Sequence, residues 1–212
     1  MLQIVRSPER FMERKIGQPN LRWELLVLLA VGAIGALGSA YVGLEVVGAT
    51  NDDAVNLPVA GKVIEPVVGV FVLWVAYAVS LHFIGNALGG RGPARQLLKT
   101  VPWALIPVGI GNLLRTGATY LVYQGIDVAA AMSESRLAPV EGAYGAGTGE
   151  SLYVLATVLL ILTALWSGYL MLLAVQQAKD LTREQAVRAV AVPVAVHVLV
   201  LVRELLAGVG VL

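Results

Sequence analysis

Five polar side chains stand inside runs that are otherwise apolar. Asn112 and Arg115 interrupt the run from Val101 to Tyr123, and His197, Arg203 and Glu204 interrupt the run from Ala189 to Leu212. Ionisable groups in such runs are costly in lipid, so they pair with one another or line a polar path. At about 1.5 Å per residue, Arg115 lies roughly 21 Å into its run, and Arg203 and Glu204 lie at nearly the same depth in theirs. Equal depth makes Glu204 the expected partner of Arg115. Arg203, about 100° round the same helix, is expected to snorkel to the interface. Two readings of the cluster stand side by side. The groups lock helix packing, or Asn112, Arg115, His197 and Glu204 surround a small polar cavity.

Other chemistry finds little support. Ser167 sits in Trp166-Ser167-Gly168 with no His or Asp placed to serve it, and no His-Glu-x-x-His occurs. The chain has no cysteine and two histidines, His82 and His197, so no catalytic residue, metal site or cofactor is expected. Asn51-Asp52-Asp53 does not supply the six to eight oxygens that calcium takes. These features argue against an enzyme.

The elements that must position the cluster follow from composition. Of 212 residues, 58% are hydrophobic and 14% charged, with a mean hydropathy of +0.78. A soluble domain carries about 25% charged residues. So few charges cannot cover a soluble globule of this size, and the solvent for most of the chain is lipid. The net charge of +1 gives no reason to expect nucleic acid.

The expected architecture is all-α: a polytopic membrane protein with a five-transmembrane-helix bundle at 23–212 and a short amphipathic helix in the lead-in, 1–22. The spans are expected at about 25–47, 66–88, 101–123, 152–175 and 189–212. Ser7-Pro8-Glu9 reads as a helix start, with a capping hydroxyl, proline at the first position and an acid in the first turn. Phe11, Met12 and Ile16 then alternate with Arg10, Arg14 and Lys15, as in a helix lying on the membrane surface, whose cations would meet anionic headgroups. In the first span Gly35, Ser39 and Gly43 recur every fourth residue, a row that lets another helix approach closely. Residues 48–65 read as a polar loop and 142–149 as a flexible one. Pro107 is expected to kink the third span. Thr182 and Gln185 form a capping-box pattern before the fifth.

Orientation follows from the cations. The lead-in holds Arg6, Arg10, Arg14, Lys15 and Arg22; the second connection Arg91, Arg95 and Lys99; the fourth Lys179, Arg183 and Arg188. The first connection has only Lys62 and the third only Arg136. The expectation is a multi-pass protein of the cell membrane, N-terminus cytoplasmic and C-terminus outside.

The chain resembles the Yip domain family of Ypt/Rab-interacting membrane proteins, in its prokaryotic branch. The resemblance is carried by Ser7-Pro8-Glu9-Arg10-Phe11, by Gly89-Gly90-Arg91-Gly92 running into Arg95-Gln96-Leu97-Leu98 and Pro107, by Trp166 with Tyr169-Leu170, and by Ala178 to Ala186. It implies five spans and a cytoplasmic N-terminus. It also implies a membrane organiser or interaction scaffold whose partners are the bilayer and other membrane proteins or further copies of itself. The family's eukaryotic members bind Rab GTPases and carry a longer cytoplasmic N-terminal region, with an Asp-Leu-Tyr-Gly-Pro motif in some branches. Neither stands in this sequence, and no residue is carried over for GTPase binding. The alternative is a small channel or transporter using Arg115 and Glu204.

Overall fold

The computed structural model describes residues 4, 6–17, 21–50, 52–135 and 138–211, and among them every regular element is a helix. Among the described residues the α-helices used below are, in order, α1 Pro8–Ile16, α2 Arg22–Ala49, α3 Asn56–Ala87, α4 Ala94–Ala104, α5 Ile106–Tyr123, α6 Val128–Glu134, α7 Pro139–Gly145, α8 Ser151–Lys179 and α9 Arg183–Gly208. A 3₁₀ turn at Asp53–Val55 precedes α3. Five stretches are long and apolar enough to cross a membrane: Arg22–Ala49, Asp53–Ala87, Ala94–Tyr123, Ser151–Lys179 and Arg183–Gly208. The 28 residues of α2 alone reach about 42 Å, beyond the roughly 30 Å of a hydrocarbon core. Their outer faces are apolar, with Leu37, Leu44, Phe83, Leu121 and Leu199 all more than half exposed.

Round the bundle the first span packs between the second and third, and the fourth between the third and fifth. The second and fifth close the ring where contact is lightest. A basic end carries Arg91, Arg95, Lys99 and Arg183. An acidic end carries Asp52, Asp53, Glu141 and Glu150. The main core, around Leu28, Leu81, Val101, Leu105, Met171 and Val175, fills the basic half. A second cluster, Val42, Val46, Tyr123, Val140 and Ala143, sits at the acidic end.

Several boundaries differ from the expected ones. The second span starts at Asn56, not Pro66, so most of the expected polar loop is helix. Pro58 falls in the first turn, where a missing N–H costs nothing, and Pro66 sits inside the helix against Gly35 of α2. The third span begins at Ala94 and is broken at Leu105, just ahead of Pro107. The Leu105 N–H is shared between the carbonyls of Val101 and Pro102, at 3.1 and 3.2 Å, which tightens the turn at the break. The glycine-rich loop after Pro139 is partly helical: α7 covers the acidic end, held where the Tyr123 hydroxyl donates to the carbonyls of Ala143 and Tyr144. Arg136 lies outside the described residues.

The lead-in helix also departs from expectation. Ser7 makes no side-chain cap. Met12 is fully buried in the main core, Phe11 meets the Trp103 ring edge-on at 5.3 Å, and Gln177 of α8 donates to the Glu9 carbonyl. The apolar face of α1 therefore lies on the bundle, not on lipid.

Candidate functional site: a polar cavity between the spans

On α5 the side chains of Asn112, Arg115, Thr116 and Thr119 fall at helical spacing on one face. That face borders a cavity of about 640 Å³ in the acidic half of the bundle. Gly35, Gly38 and Ser39 of α2 form one wall, and Lys62, Glu65 and Gly69 of α3 another. Tyr153 and Thr157 of α8 and Glu204 with Gly208 of α9 complete it. Glu141 and Tyr144 of α7 lie over the acidic end, and Val70, Leu73 and Val108 form an apolar floor. The volume falls within the roughly 300–1,000 Å³ usual for ligand sites.

Two cations on the wall are each held by carboxylates. The Arg115 Nη1 donates to Glu204 Oε2 at 3.0 Å, and the guanidinium lies 5.3 Å from the Tyr153 ring centre. Their side chains are 32% and 49% exposed, so the pair faces open space rather than packed core. The Lys62 ammonium lies 2.8 Å from Glu141 and 3.9 Å from Glu65. Thr116 and Thr119 donate to the carbonyls of Ile34 and Arg115, which leaves their oxygens able to accept again. Tyr144 donates to the Ser39 carbonyl at 2.7 Å, and burial pushes its pKa up to about 12, so it stays a donor at neutral pH. Asn112 lines the cavity without a hydrogen bond to any described residue.

Of the five cluster residues, Asn112, Arg115 and Glu204 meet at this cavity. His197 does not: its Nδ1 lies 3.0 Å from the Tyr77 hydroxyl, joining the fifth span to the second. Arg203 is exposed on α9 and does not line the cavity. The small-residue row is packed inside the chain. A Cβ on Gly35 would meet Pro66 at 3.1 Å and Asn112 at 3.4 Å, and one on Gly43 would meet Val59 at 2.7 Å. The row therefore receives the second and third spans. Among the lead-in cations, Arg10 and Arg14 are exposed, whereas the Lys15 ammonium sits 3.6 Å from the Trp103 ring centre. Burial lowers its pKa, and the Glu24 charge works the other way. The wall residues Lys62, Glu65, Glu141, Tyr144 and Tyr153 were not singled out from the sequence. Those of α5 had a signal, the spacing of Thr116 and Thr119 from Asn112.

A second polar group closes the basic end. The buried Lys179 reaches His82 Nδ1 at 2.6 Å, Asn86 Oδ1 at 2.8 Å and the Gly92 carbonyl. The Arg91 N–H donates to the Lys179 carbonyl at 2.9 Å. This ties the glycine loop to the end of α8.

The model of the Yip1 domain matches residues 2–203 of the chain. No curated protein and no solved structure matches it.

Proposed function

The chain belongs to the Yip1 domain family, and from that premise we propose that it is a non-enzymatic membrane organiser working through the acidic-end cavity, which takes up an amphipathic component of the bilayer. The observation that carries this reading is the cavity itself, polar at its rim and apolar at its floor. From Lys62 to Leu73 along α3 is about 16 Å, enough to separate a headgroup from the start of an acyl chain. Two other surfaces suggested by the sequence are occupied: the glycine row holds neighbouring spans, and the apolar face of α1 holds the bundle. In this reading the N-terminus is cytoplasmic and the basic end inside, supported by the cations clustered there.

Gly69 provides the test. It lines the cavity, and a Cβ built on it meets nothing within 4 Å. Gly69→Phe should place a ring in the mouth of the cavity and obstruct it, with open space at the Cβ, and should lift helix propensity by a few tenths of a kcal/mol. The expected result is unchanged or raised thermal stability in detergent together with loss of lipid retained through purification. Retention equal to that of the parent would sink the reading.

The second reading, a small channel or transporter, draws on the Arg115–Glu204 pair facing open space. It requires solute flux in liposomes that Glu204→Gln abolishes. The apolar floor and the Tyr77–His197 link beneath it stand across such a path.

A further inference from the structure

We propose that the cavity recognises a phosphoethanolamine zwitterion, with the phosphate on Arg115 and Lys62 and the primary ammonium on Glu65, Glu141 and Glu204. This rests on the reading that the cavity takes an amphipath from the bilayer.

The charges on the wall decide the class. Among the described lining residues two cations face three carboxylates, and each cation is already held by an acid. A ligand that is only an anion would draw Arg115 or Lys62 away and leave Glu204 or Glu141 facing the anion without its cation, a like-charge contact that opposes binding. A ligand that is only a cation would strand the arginine in the same way. A zwitterion exchanges partners at both ends at once and leaves no charge alone. The surplus carboxylate sets a preference at the positive end. Carboxylates accept hydrogen bonds, so they favour a primary ammonium with three N–H donors over a quaternary one with none. Asn112, with its carboxamide free, adds two N–H donors and a carbonyl acceptor deeper in the cavity.

The route in is the seam between the second and fifth spans. Tyr77 and His197 join these helices near mid-depth. Beyond that link, toward the acidic end, Lys62 and Glu65 on one side face Glu204 and Gly208 on the other across the cavity. Polar groups on both lips of a seam that begins in the bilayer suit a headgroup sliding in sideways while its chains stay in lipid.

The test uses the full chain in phosphatidylcholine nanodiscs. These are doped in turn with photoreactive phosphatidylethanolamine, phosphatidylglycerol or phosphatidylcholine of identical chains. Labelled residues are mapped by mass spectrometry. The ethanolamine lipid should label residues lining the cavity roughly tenfold more than the other two, the scale of one charge-assisted hydrogen bond. Glu65 is 72% exposed, so Glu65→Gln should fold as the parent does; it should erase most of that preference with the melting temperature unchanged. Equal labelling by all three, or preference for glycerol or choline, overturns the headgroup assignment while leaving the amphipath reading in place. Absence of cavity labelling by any lipid overturns both. Soluble phosphoethanolamine forms the second arm. Failure to compete assigns the site to the lipid, and displacement at matched concentration assigns it to the free zwitterion. Either result keeps the chemistry proposed.

Discussion

Arg115 and Glu204 are joined across two spans by one charge-assisted hydrogen bond, and both remain partly open to the cavity. Losing one partner leaves the other charged in a poor solvent. A fully buried pair loses about 3–5 kcal/mol on such a change, and the exposure here argues for less, about 1–3 kcal/mol. Arg115→Ala and Glu204→Ala should therefore each lower stability, and the double variant should cost about 1 kcal/mol or more less than the sum. Strict additivity in denaturant titrations would show that the two do not couple. Depth along a helix could be read from the sequence, which is how this pair was found. His197 shows the limit of that reading. It lies seven residues before Glu204, on the same face and about 10 Å deeper, so its face was right. At that depth the second span stands opposite, and Tyr77 takes the imidazole. Which neighbour faces a given stripe depends on packing order round the bundle, and no single run of sequence contains that.

At the scale of elements, prolines misled in a regular way. Pro58 stood in the expected loop and Pro66 at the expected start of the second span, yet Pro58 falls in the first turn of α3 and Pro66 is absorbed within it. The break before Pro107 was legible because a proline there has no N–H to give and crowds the preceding turn. The amphipathic pattern of α1 was legible too; what its apolar face touches was not, because lipid and a helical bundle are equally apolar. The basic-end loop makes the sharpest prediction about an element. A Cβ on Gly92 would overlap the Ala178 carbonyl oxygen, and Gly89 has φ +90°, where a side chain strains the backbone. Gly92→Ala should thus cost about 2 kcal/mol through overpacking. Lys179→Met should cost a similar amount, since the Gly92 carbonyl and Asn86 Oδ1 both lose their donor. Thermal unfolding in detergent measures both. Gly61→Ala, inside α3 with nothing within 4 Å, is the control and should not destabilise; helix propensity predicts a gain of up to about 1 kcal/mol.

For the molecule as a whole, an odd number of spans places the two chain ends on opposite sides of the membrane, and the charges differ between those sides. Lys and Arg resist transfer across the bilayer, so the end with Arg91, Arg95 and Lys99 should stay in the cytoplasm. The cavity would then serve only the outer leaflet, since its polar rim lies at the other end. Direction of insertion thus decides which lipids the site can meet. Because the chain has no cysteine, single-cysteine variants report cleanly. Val211→Cys should react with an impermeant maleimide in intact cells, and Arg91→Cys should react only after the membrane is opened. The reverse pattern would turn the cavity toward the cytoplasmic leaflet without altering one contact inside it. The headgroup chemistry would stand, and the membrane face on which it acts would change.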